Sequence, residues 1–321
     1  MEQILEAAVS RGASDIHIKA GDVFRARIDG QLVPLTRQSL TPDETREIAL
    51  HVIADAQVRA RIDDIRDYDC SWGAPGVGRF RVSILRQRSS FMIVMRVIPF
   101  EVPTFERLGL PASLAGVAET ERGMVLITGA AGSGRSSTMA AIVHHINAHS
   151  YRHIVTLEDP IEFLHRDLRG SVTQREIGTD TDDLRTGLRA ALRHDPDVVM
   201  LGEMRDATAI DTAMRVAETG RLVIAAFHAP DAASTVAQLV ALFPPDEEPM
   251  ARRLLAASLA AVVSQRLVPR ADGHGRTAAV EVLPVTPAIR EAIAAGRWWT
   301  HDASGVMAAA RNEPALATVR A

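Results

Sequence analysis

Val125-Leu126-Ile127-Thr128-Gly129-Ala130-Ala131-Gly132-Ser133-Gly134-Arg135-Ser136-Ser137 is the stretch on which the fold turns. Its first residues are a short apolar run of buried-strand character, and residues 137–146 after it have helical composition. Between them, Gly129, Gly134 and Ser136 have the spacing of a phosphate-binding loop. Such a loop aims backbone N–H groups at phosphate oxygens, and the N-terminus of the following helix adds a dipole that favours anions. Gly129, Ala130, Ala131, Gly132, Ser133, Gly134, Arg135, Ser136 and Ser137 are therefore the candidate nucleotide-binding residues. Arg135 stands where these loops usually carry lysine. The charge is kept, but a planar, forked guanidinium replaces a compact point charge.

Three further apolar runs, at residues 154–157, 198–201 and 222–226, alternate with helical segments, an α/β pattern built on a central sheet. Ligands of such sheets bind at the C-terminal strand edge. There the first run delivers Glu158, followed by Asp159-Pro160-Ile161-Glu162; the second delivers Glu203; the third delivers His228. Alone, acids after a strand are ordinary turn residues, and a single histidine is more often structural than catalytic. The loop on the same edge makes them candidates. Glu203 can orient an attacking water or hold magnesium through one, and His228 can donate to a terminal phosphate. The run at 254–263 reads as a buried helix, well short of the ~20 residues of a membrane span.

The first hundred residues read as a small α+β domain. Residues 1–12 form an amphipathic helix, Asp29-Gly30 is a hairpin dipeptide, and Thr41-Pro42-Asp43-Glu44 opens a helix with a capping box. Strands follow at 79–85 and 91–98, carrying Arg79, Arg81, Arg86, Arg88 and Arg96; of these, Arg81 and Arg96 are the candidates to reach a nucleotide from outside the loop. Prolines at 99, 103 and 111 mark 99–114 as a linker between a domain at 1–98 and one at 115–321 with a helical C-terminal part. The tail beyond Gly296, with Trp298 and Trp299, is expected to fray.

A net charge of -4 gives no global pull toward nucleic acid, and no basic, aromatic-interleaved run is present. Cys70, the single cysteine, excludes an internal disulfide and reads as a half-buried strand residue. The acidic start lacks the pattern of an export signal, so a cytoplasmic protein is expected. Lys19 is the only lysine among the 36 lysines and arginines, so an arginine at the surface carries little meaning here.

Taken together, the motifs resemble those of the secretion ATPase superfamily, specifically the PilT-like twitching-motility ATPases that retract type IV pili. The likeness runs from Gly12-Ala13-Ser14-Asp15-Ile16-His17 to Ala288-Ile289-Arg290-Glu291-Ala292-Ile293, which is similar to the family's AIRNLI segment. Residues 158–163 resemble its aspartate box, 192–206 its Walker B region and His228 its histidine box. The resemblance implies a PAS-like α+β N-terminal domain followed by a RecA-like P-loop ATPase domain, and a hexameric ring using ATP and Mg2+. It implies Ser136 and Glu203 as magnesium ligands, with Glu158, Glu203, His228, Arg81 and Arg96 as the catalytic set. The implied partner is an inner-membrane pilus platform protein; a paralogous ATPase is expected only if the chain is a regulatory subunit, and the charge argues against nucleic acid. Three departures stand out: Arg135 for the loop lysine, Ala229 for the threonine usual after the histidine, and a chain that ends soon after the AIRNLI-like segment. Two readings stay open on Arg135, a working motor and a catalytically impaired ring subunit or regulator.

Overall fold

The computed structural model describes residues 1–98, 101–270 and 276–297. The expectation for the tail with Trp298 and Trp299 lies outside them. The chain divides into one compact unit, Met1–Glu101 with Glu162–Leu164, and a second formed by Val102–Ile161 and His165 onward.

The first unit contains α1 (Glu2–Ser10), β1 (Asp15–Lys19), β2 (Arg25–Ile28), β3 (Gln31–Pro34), α2 (Pro42–Val52), α3 (Ala56–Ala60), β4 (Asp67–Ala74), β5 (Gly78–Gln87) and β6 (Ser90–Ile98). Its antiparallel sheet has the order β3-β2-β1-β6-β5-β4. Alternation buries one face: Phe80, Val82 and Ile84 of β5 meet Ile93 and Met95 of β6 and Leu5 of α1 in a single core. Asp29 and Gly30 turn the β2–β3 hairpin with φ of 48° and 78°. The capping box forms, with Glu44 Oε2 accepting from Thr41 N at 2.7 Å and Thr41 Oγ1 accepting from Glu44 N at 3.2 Å. Cys70 is half-buried on β4. Arg88 is a correction: with Ser89 it forms the turn between β5 and β6, at φ of 48° and 62°, and is not a strand residue. Arg86 is structural, its guanidinium lying 4.0 Å over the Phe91 ring and donating to the Ile65 carbonyl.

The second unit continues with α4 (Phe105–Leu108), α5 (Ser113–Ala118), β7 (Gly123–Thr128), α6 (Arg135–His149), β8 (His153–Glu158), β9 (Ser171–Glu176), α7 (Leu184–Ala191), β10 (Val198–Glu203), α8 (Ala207–Glu218) and β11 (Leu222–Phe227). It ends with α9 (Ala232–Val240), α10 (Glu248–Ser258), β12 (Leu259–Pro269), β13 (Arg276–Pro284) and α11 (Pro287–Ala294). The sheet order is β13-β12-β7-β11-β10-β8-β9, parallel except for the β12–β13 pair. Helices cover both faces, so the central strands are unbroken apolar runs. Leu126, Val199, Leu201 and Val223 join one core with α8, α9 and α10. Val125, Ile127, Val198 and Ile224 face the other way, onto α5 and α6.

The run at 254–263 is not one helix. It is the last turns of α10 followed by the start of β12, which lies parallel to β7. An apolar run of this length fits a buried helix and a buried strand equally well; the β-branched Val262 and Val263 and the vacant edge of β7 favour the strand. The AIREAI segment forms most of α11. Arg290 there donates to the Ala256 and Ala257 carbonyls at 2.6 and 2.9 Å, satisfying the C-terminal end of α10. No helix among the described residues is long and apolar enough to cross a membrane.

Candidate functional site

Parallel strands bring their C-terminal ends to one edge, and the register fixes what meets there. Thr128 pairs with Phe227, Ala226 with Glu203, and Leu201 with Leu157, so the loop after β7, His228, Glu203 and Glu158 share that edge. A register shift between Leu201 and Glu203 bulges β10 at Gly202 and sets Glu203 at the strand's end. Gly202 packs closely on β8, where an added Cβ would lie 3.7 Å from Glu158 Cα.

The loop takes the shape its glycines allow. Gly129, Gly132 and Gly134 have φ of 151°, 74° and 90°. Helices α7, α8 and α9 each begin with an aspartate, Asp183, Asp206 or Asp231, whose side chain accepts from a first-turn N–H. Asp206, next to the candidate acid, is thus a helix cap. Helix α6, in contrast, begins at left-handed Gly134 with no side-chain cap, the kind of helix start that suits an anion. Within the loop two buried donors end without a hydrogen-bond partner, Ser133 Oγ and Arg135 Nη1. This donor set fits an anion with several oxygens, as the phosphates of a nucleotide have. Ser136, in the first turn of α6, and Glu203 are oxygen donors of the kind magnesium accepts beside phosphate and water.

The other half of the guanidinium is engaged. Arg135 Nη2 donates to Glu203 Oε1 at 2.9 Å, and Arg205 Nε donates to Glu203 Oε2 at 3.1 Å. Arg135 and Glu203 are 14% and 28% exposed, Arg205 68%. Burial pushes the Glu203 carboxyl up, but the Arg205 hydrogen bond and the Arg135 charge outweigh it and hold its pKa below the usual value. Glu203 is therefore ionised at neutral pH. Arg135, Glu203, Arg205 and His228 line one cleft of about 630 Å³, with Ala131, Phe227 and Leu242 among its other walls.

Glu158, at the end of β8, is buried, and its Oε1 accepts from Thr156 Oγ1 at 2.6 Å and Gln174 Nε2 at 3.0 Å. Arg81 and Arg96 lie in the first unit, opposite each other on β5 and β6, both exposed. Arg96 Nε also pairs with Asp15 Oδ1 at 2.9 Å.

Sequence reasoning missed Gln265, which braces the loop. This residue of β12 is 5% exposed, donates Nε2 to the Ser133 carbonyl at 2.8 Å and accepts from Thr138 Oγ1 at 2.6 Å. Beside it, Ser264 and Thr128 hydroxyls bond at 2.8 Å. The signal was the polar run Ser264-Gln265-Arg266 interrupting an apolar strand, of which only Arg266 is exposed. Gln265→Leu should leave the Ser133 carbonyl and Thr138 hydroxyl unpaired, at a cost of about 1–3 kcal/mol for each orphaned group. A lowered melting temperature with nucleotide affinity weakened about tenfold or more is expected, read by thermal unfolding and titration with a fluorescent nucleotide.

A glycine-rich loop between a parallel strand and a helix, with an acid and a histidine at neighbouring strand ends, defines a P-loop nucleotide-binding domain. The family described as type II/IV secretion system protein matches residues 1–298. The type IV pilus ATPase PilU of Pseudomonas aeruginosa is 40% identical over 297 residues, 92% of this chain and 77% of the relative. The type IV pilus retractation ATPase PilT of the same organism is 40% identical over 291 residues, 91% of this chain and 84% of the relative. A crystal structure of the pilus retraction motor PilT with bound ADP superposes with a TM-score of 0.87 at 39% identity, covering 96% of this chain and 89% of that one. The chain belongs to the type II/IV secretion protein family, as a PilT-like secretion ATPase.

Proposed function

We propose that the chain hydrolyses ATP as a motor of the type IV pilus retraction class, working as a hexameric ring. What carries this reading is the convergence of Arg135, Glu203 and His228 on one cleft beside the uncapped start of α6. It is supported by identity near 40% to relatives named for pilus retraction. Residues Gly132 to Arg135 hold the phosphates. Glu203 polarises the attacking water, Glu158 helps position water or metal, and His228 donates to the terminal phosphate. Magnesium, held through Ser136 and Glu203, would neutralise charge on the phosphates when bound. Arg81 and Arg96 complete the site from the same or a neighbouring subunit. Force passes to a platform protein of the inner membrane, with the ring on the cytoplasmic side and no nucleic acid as cargo.

A second reading, a non-catalytic ring subunit that tunes an active paralogous ATPase, is favoured by one observation: both Glu203 oxygens are bonded to arginines. Mass measurement with nucleotide present should give six subunits, and phosphate release should require magnesium. A regulator would show no release alone and would change the rate of an added active paralogue.

A further inference from the structure

Lysine and arginine differ at this site in the number of nitrogens they can share. An ammonium is one nitrogen whose three N–H groups turn freely, so it fixes no geometry between the anions it touches, whereas a guanidinium has two terminal nitrogens in a rigid fork and can hold two anions in a set arrangement. In this chain the fork is already divided. Nη2 sits 2.9 Å from Glu203 Oε1, while Nη1 is buried with no hydrogen-bond partner, as is Ser133 Oγ two residues earlier in the loop. The ion pair is sheltered, with Arg135 only 14% exposed, so water competes poorly for it.

We propose that Arg135 ties the bound phosphate to Glu203: Nη1 takes a phosphate oxygen while Nη2 keeps Glu203 Oε1, so the chain holds nucleotide firmly and cleaves it slowly. The proposal rests on the ATPase reading above. A cation between two anions screens their repulsion, so affinity does not suffer. The cost falls on turnover. With Oε1 held by Arg135 and Oε2 by Arg205, Glu203 has its charge committed to two donors and its carboxylate fixed in orientation, and both weaken its hold on the attacking water. The substitution thus separates binding from cleavage, a division a lysine at the same position does not impose.

The test compares the full-length protein with Arg135→Lys, measuring equilibrium binding of the fluorescent analogue mant-ADP and the single-turnover cleavage rate of ATP with magnesium. Thermal unfolding of both confirms that each is folded. The expected result is a cleavage rate raised about tenfold or more by lysine, with the mant-ADP dissociation constant moved by less than about threefold. A lysine variant that cleaves no faster, or that gains rate only in step with affinity, overturns the tie while leaving the ATPase reading intact. Absence of mant-ADP binding in both proteins would sink the ATPase reading as well, so the two failures are distinguishable.

Discussion

Glu203→Gln is expected to lower the rate of ATP cleavage about 10²–10³-fold while nucleotide binding survives. The residue stands at the bulged end of β10, and its carboxylate, paired with Arg205 and Arg135 in the cleft, is the proposed acceptor for an attacking water. Glutamine preserves the shape and one carbonyl acceptor but removes the charge that polarises water. The proposed phosphate contacts of the loop and the start of α6 remain, with only the ionic partner of Arg135 Nη2 lost. Phosphate release and mant-ADP titration on the same preparation check both halves of the expectation; retained cleavage would remove Glu203 from the mechanism.

Gly129→Ala should abolish nucleotide binding and destabilise the second unit. At φ of 151° a side chain is strained, and the added Cβ would fall within 2.3 Å of the Gln265 carbonyl oxygen and 2.4 Å of Ser133 Oγ. The first neighbour is backbone of β12 and the second is a buried hydroxyl of the loop itself, so neither can move without displacing the loop. Strain of this kind costs about 1–3 kcal/mol and overpacking of a close-packed site a similar amount. Thermal unfolding and mant-ADP titration read the effect. Gly132→Ala is the contrast, since an added Cβ there meets nothing within 4 Å and only the left-handed backbone, φ 74°, opposes it. Equal behaviour of the two variants would show that the contact with Gln265 does not shape the loop.

Local chemistry explains what was legible beforehand. The strands β7, β8, β10 and β11 are apolar runs buried on both faces and bounded by glycine, acid or proline, and each was placed within about two residues of its observed ends. The hairpin at Asp29-Gly30 and the capping box at Thr41 rest on residue types that act within three or four positions. The turn at Arg88-Ser89 was missed because neither residue is one that ordinarily takes a positive φ; the tight pairing of β5 with β6 imposes it. Strand β9, reading SVTQRE at the sheet's edge, has no apolar signature. Residues 259–263 carried apolarity without direction, so helix and strand were equally good readings until the edge of β7 chose between them.

The candidate site divides the same way. The loop, Glu203 and His228 were visible because each follows an apolar run, and the parallel sheet brings such positions together. The contact of Gln265 with Ser133 and the pairing of Arg135 with Glu203 were not visible, since they join residues 132 and 68 positions apart through the tertiary fold. Arg135 was noticed as an exception to a motif. What the geometry adds is a fork with one nitrogen on Glu203 and the other buried and unpartnered.

Single-turnover chemistry with protein in excess over radiolabelled ATP, magnesium present, decides whether this chain is a motor. ATP bound by it is expected to be converted to ADP and phosphate on the protein, and the conversion to be lost in Glu203→Gln. Recovery of intact ATP from the native protein after prolonged binding would contradict it, leaving a nucleotide-holding ring subunit in place of a motor.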